Sequence, residues 1–158
     1  MGRVLGPVIA ILAVAMALYQ LVASQTPIQP SVLVQNTHLG FALTLVFLAG
    51  AAEAASVLGR LWRLGLAALA VACAVFVQVE YDVLVVNQGF PREFDVIVGT
   101  VMILVTLEAT RQRWGPVLPG IALATVAYYV WGDLLPTRAA PSDIPYDTIV
   151  SNLAIGLY

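Results

Sequence analysis

The chain has 158 residues, 61% of them hydrophobic and only 10% charged, with net charge −2 and mean hydropathy +0.93. That is too apolar for a water-soluble domain of this size. Its seven basic residues are all arginines and are dispersed, so no basic surface exists to hold nucleic acid.

The apolar residues form five blocks, 4–22, 33–52, 64–79, 94–109 and 117–135. A bilayer core of about 30 Å needs roughly 20 helical residues, and flanking residues extend the shorter blocks. The expected fold is an all-α integral membrane protein with about five transmembrane helices and a C-terminal amphipathic helix. No strand-like alternation argues for a β-barrel.

The first block follows Arg3 and ends near Ala23-Ser24, as a signal peptide would. Its apolar run is too long for one and lacks an Ala-x-Ala cleavage pattern, so it reads as a retained helix. The second block carries His38, the only histidine, about 7 Å inside the membrane boundary if the helix starts near Leu33. One histidine excludes a bis-histidine haem or a multi-histidine metal site within a single chain. The expected role is a polar residue near a helix end, bonded to a carbonyl or to Asn36. Glu53 then falls at the opposite boundary.

In the third block, Ala68-x-x-x-Ala72 and Ala70-x-x-x-Ala74 permit close helix approach, and Cys73 reads as a small apolar residue. Glu80 and Asp82 reach the outer boundary. A proton-coupled exporter requires a carboxylate in mid-membrane, and none of these acids lies there.

The fourth helix is expected to start near Arg92, after the turn Gly89-Phe90-Pro91, with Glu93 and Asp95 in its first turn. Glu108, Arg111 and Arg113 close it, with Glu108 pairing to Arg111 or docking on a partner. Gly120-x-x-x-Ala124 gives the fifth helix a small-residue face. Trp62, Trp114 and Trp131 lie near the proposed boundaries, as interfacial anchors do.

Composition shifts after Pro136, which divides the chain into a transmembrane scaffold, 1–136, and a connector with an amphipathic helix, 137–158. Thr137 to Pro141 read as the connector, Ser142 or Asp143 as a cap, and Pro145 as a first-turn residue. Tyr146, Ile149, Val150, Leu153 and Leu157 share one face, opposite Asp147, Thr148, Ser151 and Asn152. That pattern predicts a segment lying at the outer interface or docked on a partner.

Arginine placement sets the orientation. One side collects Arg3, Arg60, Arg63, Arg111 and Arg113, with Glu53 and Glu108; the other holds seven acids, with Arg92 and Arg138. The arginine-rich side is cytoplasmic, which puts the N-terminus in the cytoplasm and the C-terminus in the periplasm. No nucleophile–base pair, phosphate loop, metal spacing or mid-span Gly/Pro break appears, so the residues read as a helical membrane subunit without enzymatic chemistry or a cofactor.

Two stretches go further: His38-Leu39-Gly40-Phe41-Ala42-Leu43 with Phe47-Leu48, and Gly89-Phe90-Pro91, Asp95 and Gly99 leading into Leu107-Glu108-Ala109-Thr110-Arg111-Gln112-Arg113-Trp114-Gly115-Pro116. Together they resemble the small-subunit-like part of TAXI-type TRAP transporter permeases, as does Gly132-Asp133-Leu134-Leu135-Pro136. Gln112 interrupts what is often an arginine pair there, and Ala49-Gly50-Ala51 replaces an aromatic–proline helix end. Family members commonly continue beyond the position of Tyr158 into a large transport domain. Here the two parts are either separate polypeptides or pieces of a fused one.

The resemblance implies a three-part importer of organic anions in a bacterial or archaeal inner membrane. A periplasmic TAXI-type binding protein delivers substrate, and a large membrane subunit holds substrate and coupling ion, commonly Na⁺. The small subunit braces it, with His38, Asp95, Glu108, Arg111 and Arg113 as candidate subunit contacts or structural motif residues. The alternative is a self-associating exporter or channel that builds a site from His38, Glu80 or Asp82 across subunits.

Overall fold

The computed structural model describes residues 2–26, 29–87, 90–131 and 145–155, and every regular element among them is helical. The elements are α1 (Gly2–Gln25), α2 (Ser31–Glu53), α3 (Val57–Val79), α4 (Tyr81–Val86), α5 (Glu93–Trp114), α6 (Val117–Trp131) and α7 (Tyr146–Val150). One π-helical turn, Ser151–Ile155, follows α7. The chain forms two compact units, Met1–Val85 and Val86–Tyr158.

Local chemistry explains the helix limits. Pro30 precedes α2 and its carbonyl accepts the Leu33 and Val34 amides. Ser56 caps α3, its hydroxyl oxygen accepting the Gly59 amide at 3.0 Å. The α5 helix stops at Gly115, whose φ of 80° and ψ of −175° lie in a region open almost only to glycine. Pro116 then prevents the helix from resuming in register.

Three segments, Leu5–Gln25, Ser31–Glu53 and Val57–Val79, are long and apolar enough to cross a bilayer. They make the chain compatible with a membrane-embedded protein. Five such helices were expected from the sequence, and the other two blocks behave differently. The 22 residues of α5 give about 33 Å of length, yet its charges at both ends put three charged residues in every 18-residue stretch. The described part of α6 has 15 residues.

In the first unit, α2 and α3 are the packed pair. The buried stripe of α3 runs Leu66, Ala67, Ala70, Cys73, Ala74, Val77, at the three- and four-residue spacing of one helix face. Facing it are Leu33, Asn36, Gly40, Leu43, Phe47 and Ala51 of α2, with Phe47 and Ala51 wholly buried. Of the two alanine pairs, Ala70 and Ala74 turn inward and Ala68 and Ala72 outward. A Cβ on Gly40 would stand 2.8 Å from the Ala74 Cβ, so hydrogen is the only substituent that this crossing accommodates without a shift. The α1 helix packs more lightly on α2, where the Tyr19 and Phe41 rings lie 6.5 Å apart.

In the second unit, α5 is the central rod. Its buried stripe is Asp95, Gly99, Met102, Val105 and Ala109, and α6, α7 and the π turn all pack on it. Tyr146 of α7 meets Thr100 of α5 through their hydroxyls at 3.1 Å.

The tail corrects the expected amphipathic helix. It stays α-helical only to Val150, and Pro145 precedes the helix rather than lying in its first turn. Ile149 and Val150 are buried as expected, but Ser151 is buried too, while Tyr146 and Leu153 are 46% and 61% exposed. For Leu153 the physical reason is the π turn, Ser151–Ile155, whose wider winding rotates later side chains off the face that a 3.6-residue period assigns to them. Its docking surface includes α5 of the same chain. The connector, the proposed cap at Ser142 or Asp143, and Leu157 lie outside the described residues.

Gly40→Ala should destabilise the α2–α3 pair by about 1–3 kcal/mol through overpacking. Adding Ala74→Gly should restore much of the loss. Thermal unfolding of both variants in one detergent checks this.

Candidate functional site

The polar residues of the first unit gather where α2 and α3 cross. Asn36 Nδ2 donates to the Ala74 carbonyl at 2.8 Å, from a side chain only 7% exposed. One turn along α3, Gln78 Nε2 donates to the Leu33 carbonyl at 2.8 Å and to Thr37 Oγ1 at 2.6 Å. At the other end of the pair, the Arg63 guanidinium donates to the Gly50 carbonyl. Interhelical bonds of this kind contribute about 0.6 kcal/mol each in membranes. They clasp the pair at both ends.

Asn36 and Gln78 were not singled out as interhelical contacts by sequence reasoning. The available signal was their placement: two amides in consecutive apolar helices, one near the start and one near the end, at matching depth. Antiparallel helices bring such residues together, and amides find partners when buried.

His38 lies elsewhere on α2. It is exposed, and the expected bond to Asn36 is not formed, because Asn36 faces α3 and is engaged by Ala74. The two side chains are two residues apart, about 200° around the helix, and so point away from each other. Gln35 and Ser31 are exposed on the same side of α2 as His38.

Asp95 is the most deeply buried charge among the described residues, at 0% exposure. Arg92 holds it twice, Nε to Oδ2 at 3.0 Å and Nη2 to Oδ1 at 2.8 Å, and the Arg92 backbone amide donates to Oδ2 at 3.1 Å. The carboxylate thereby caps α5, neutralises a neighbouring cation and suits the positive end of the helix dipole.

At the far end of α5, Arg111 grips Glu108 through Nε at 2.6 Å and Nη2 at 2.8 Å, and Gln112 adds a bond to Glu108 at 2.7 Å. The expected i, i+3 pair is therefore present. Arg113 is exposed beside it. The Asp95 and Glu108 groups stand at opposite ends of one helix, so these residues do not form a single site.

The hydroxyls of Thr37, Thr44, Thr100, Thr106, Thr110 and Thr125 each bond the carbonyl four residues back. That satisfies a polar group inside an apolar helix without a partner element. Glu53 and Asp82 are exposed, at the end of α2 and the start of α4. Among the described residues no three His, Cys, Asp or Glu side chains gather as a metal site requires. A cavity of about 330 Å³ lies among α1, α2 and α3, between Leu12, Phe41, Val71 and Val75. No family model, curated protein or solved structure matches the chain.

Asp95→Ala should cost about 1–3 kcal/mol, since it removes a cap and leaves Arg92 without its fork. Asp95→Asn should recover part of that by keeping an acceptor for the Arg92 amide. Glu108→Gln, on a more exposed pair, should change stability little. Denaturant unfolding of the three variants tests the order.

Proposed function

We propose that this chain is the small scaffold subunit, or the equivalent N-terminal region, of a TAXI-type TRAP transporter importing organic anions. In this reading it crosses the inner membrane about five times, with its N-terminus in the cytoplasm. The observation that carries the proposal is how the residues of the resemblance are used. Gly40 makes the closest helix approach, Asp95, Gly99 and Ala109 lie on the buried stripe of α5, and Glu108 pairs with Arg111. These are packing and capping roles, which suit a brace.

The reading also gives α5 a route across the bilayer. Residues 96–107 between its charged ends are uncharged. Asp95 and Glu108 meet arginines within their own helix turns. Paired charges near helix ends cost far less in a membrane than isolated ones at its centre. Substrate and Na⁺ then belong to the large subunit, and capture belongs to a periplasmic TAXI-type binding protein.

The test is purification from native membranes through a tag on this chain. A large membrane subunit should accompany it in near-equal amount, and vesicles containing this chain alone should show no uptake. Uptake by the chain without partners would overturn the proposal. In the complete transporter, His38→Ala should leave the uptake rate close to wild type, whereas a site built across copies of this chain would lose activity.

A further inference from the structure

The first unit leaves a groove unfilled between its three membrane-length helices. Thr37, Phe41 and Thr44 of α2 line one wall and Val71, Val75 and Gln78 of α3 the other. Each set stands at i, i+4 and i+7, so both walls run along the helix axes for about 10 Å. Leu12 of α1 closes the third side. No described side chain of α1 is fully buried, as expected of a helix that rests over a void. The mouth lies at Val71 and Val75, which are 44% and 52% exposed.

The lining decides what fits. Thr37 and Thr44 return their hydroxyls to the Leu33 and Gly40 carbonyls, and Gln78 commits its Nε2 to Leu33 and Thr37. The walls therefore present apolar surface, and such a cavity holds water poorly. At about 330 Å³ the groove is also too small to take in a helix. About 10 Å of a helix 10–12 Å wide fills roughly 800–1,100 Å³. An alkyl chain is narrow and apolar, runs along the helix axes in a bilayer, and regains the dispersion contacts that an empty groove forfeits. Gln78 stands one residue from the end of α3, so the groove opens at the membrane boundary, where a chain meets its headgroup.

We propose that this groove holds one acyl chain of a bilayer lipid, which enters at the Gln78 end and lies against Phe41, Val71 and Val75. The headgroup stays outside, so the lipid is selected by its chain and not by its charge. The site needs only the first unit embedded in a membrane and does not depend on the transporter reading.

The full chain in phosphatidylcholine vesicles, doped with a phosphatidylcholine that carries a diazirine midway along one chain, tests this by photolysis and peptide mapping. Leu69 is the comparator, because at 41% exposure it matches Val71 but lies about 200° around α3 from it. Adducts on Val71 and Val75 should exceed those on Leu69 at least about fivefold. A phosphatidylglycerol probe with the same chain should give the same pattern. Val75→Trp, which fills the groove, should lower adducts on Phe41 and Val71 at least about fivefold, whereas Leu69→Trp should leave them within about twofold. Equal labelling of Leu69 and Val71, or a pattern seen only with the phosphatidylglycerol probe, would overturn the site. So would labelling of Leu69 with the groove positions protected, which would mean that a helix covers them. The labelling of the unmodified chain decides the matter even where a variant folds poorly.

Discussion

The approach of Gly40 to Ala74 is the constraint on which the first unit depends. Lipid tails are as apolar as leucine, so two membrane helices gain little by hiding apolar side chains from them. Backbone proximity has to supply the attraction instead. With hydrogen at position 40 and a methyl at 74, the helices come close enough for Asn36 to reach a main-chain carbonyl of α3. Gln78 and Arg63 then reach across the same interface on either side. A larger residue at the crossing separates these donors from their acceptors, so packing and hydrogen bonding fail together.

The second unit solves a different problem. Its central helix carries acids and arginines at both ends, and Asp95 and Glu108 are each matched within one helical turn. This keeps local what would otherwise require a neighbouring element. It also separates two energetic regimes. Asp95 is fully buried and its loss removes the cap of α5, whereas the Glu108–Arg111 pair sits where solvent can replace it. The threonines follow the same economy, returning their hydroxyls to their own backbones.

Much of the architecture was readable from residue pattern. The start of α5 near Arg92 and the Glu108–Arg111 pair follow from local chemistry that the sequence displays directly, whereas the third apolar block began at Leu64 and α3 starts at Val57, after the Ser56 cap. The direction of each face did not. Ala68 and Ala70 are equivalent as small residues, and only the packing of α2 shows that Ala70 is the buried one. His38 drew notice as the single histidine, while Asn36 two positions away makes the contact. A lone histidine is conspicuous, but burial of an amide depends on a partner helix that one segment cannot reveal. The tail diverged because periodic spacing assumes a constant turn, and Ser151–Ile155 does not keep it.

That π turn has a consequence for how the tail tolerates length changes. One π turn is an α-helix carrying a single surplus residue, so excising one residue there would restore ordinary winding. Leu153, now 61% exposed, would then stand three residues after Ile149 instead of four, about 60° short of a full turn from it. Shortening the tail by one position therefore regularises its backbone while losing the spacing that relates Leu153 to Ile149 and Val150.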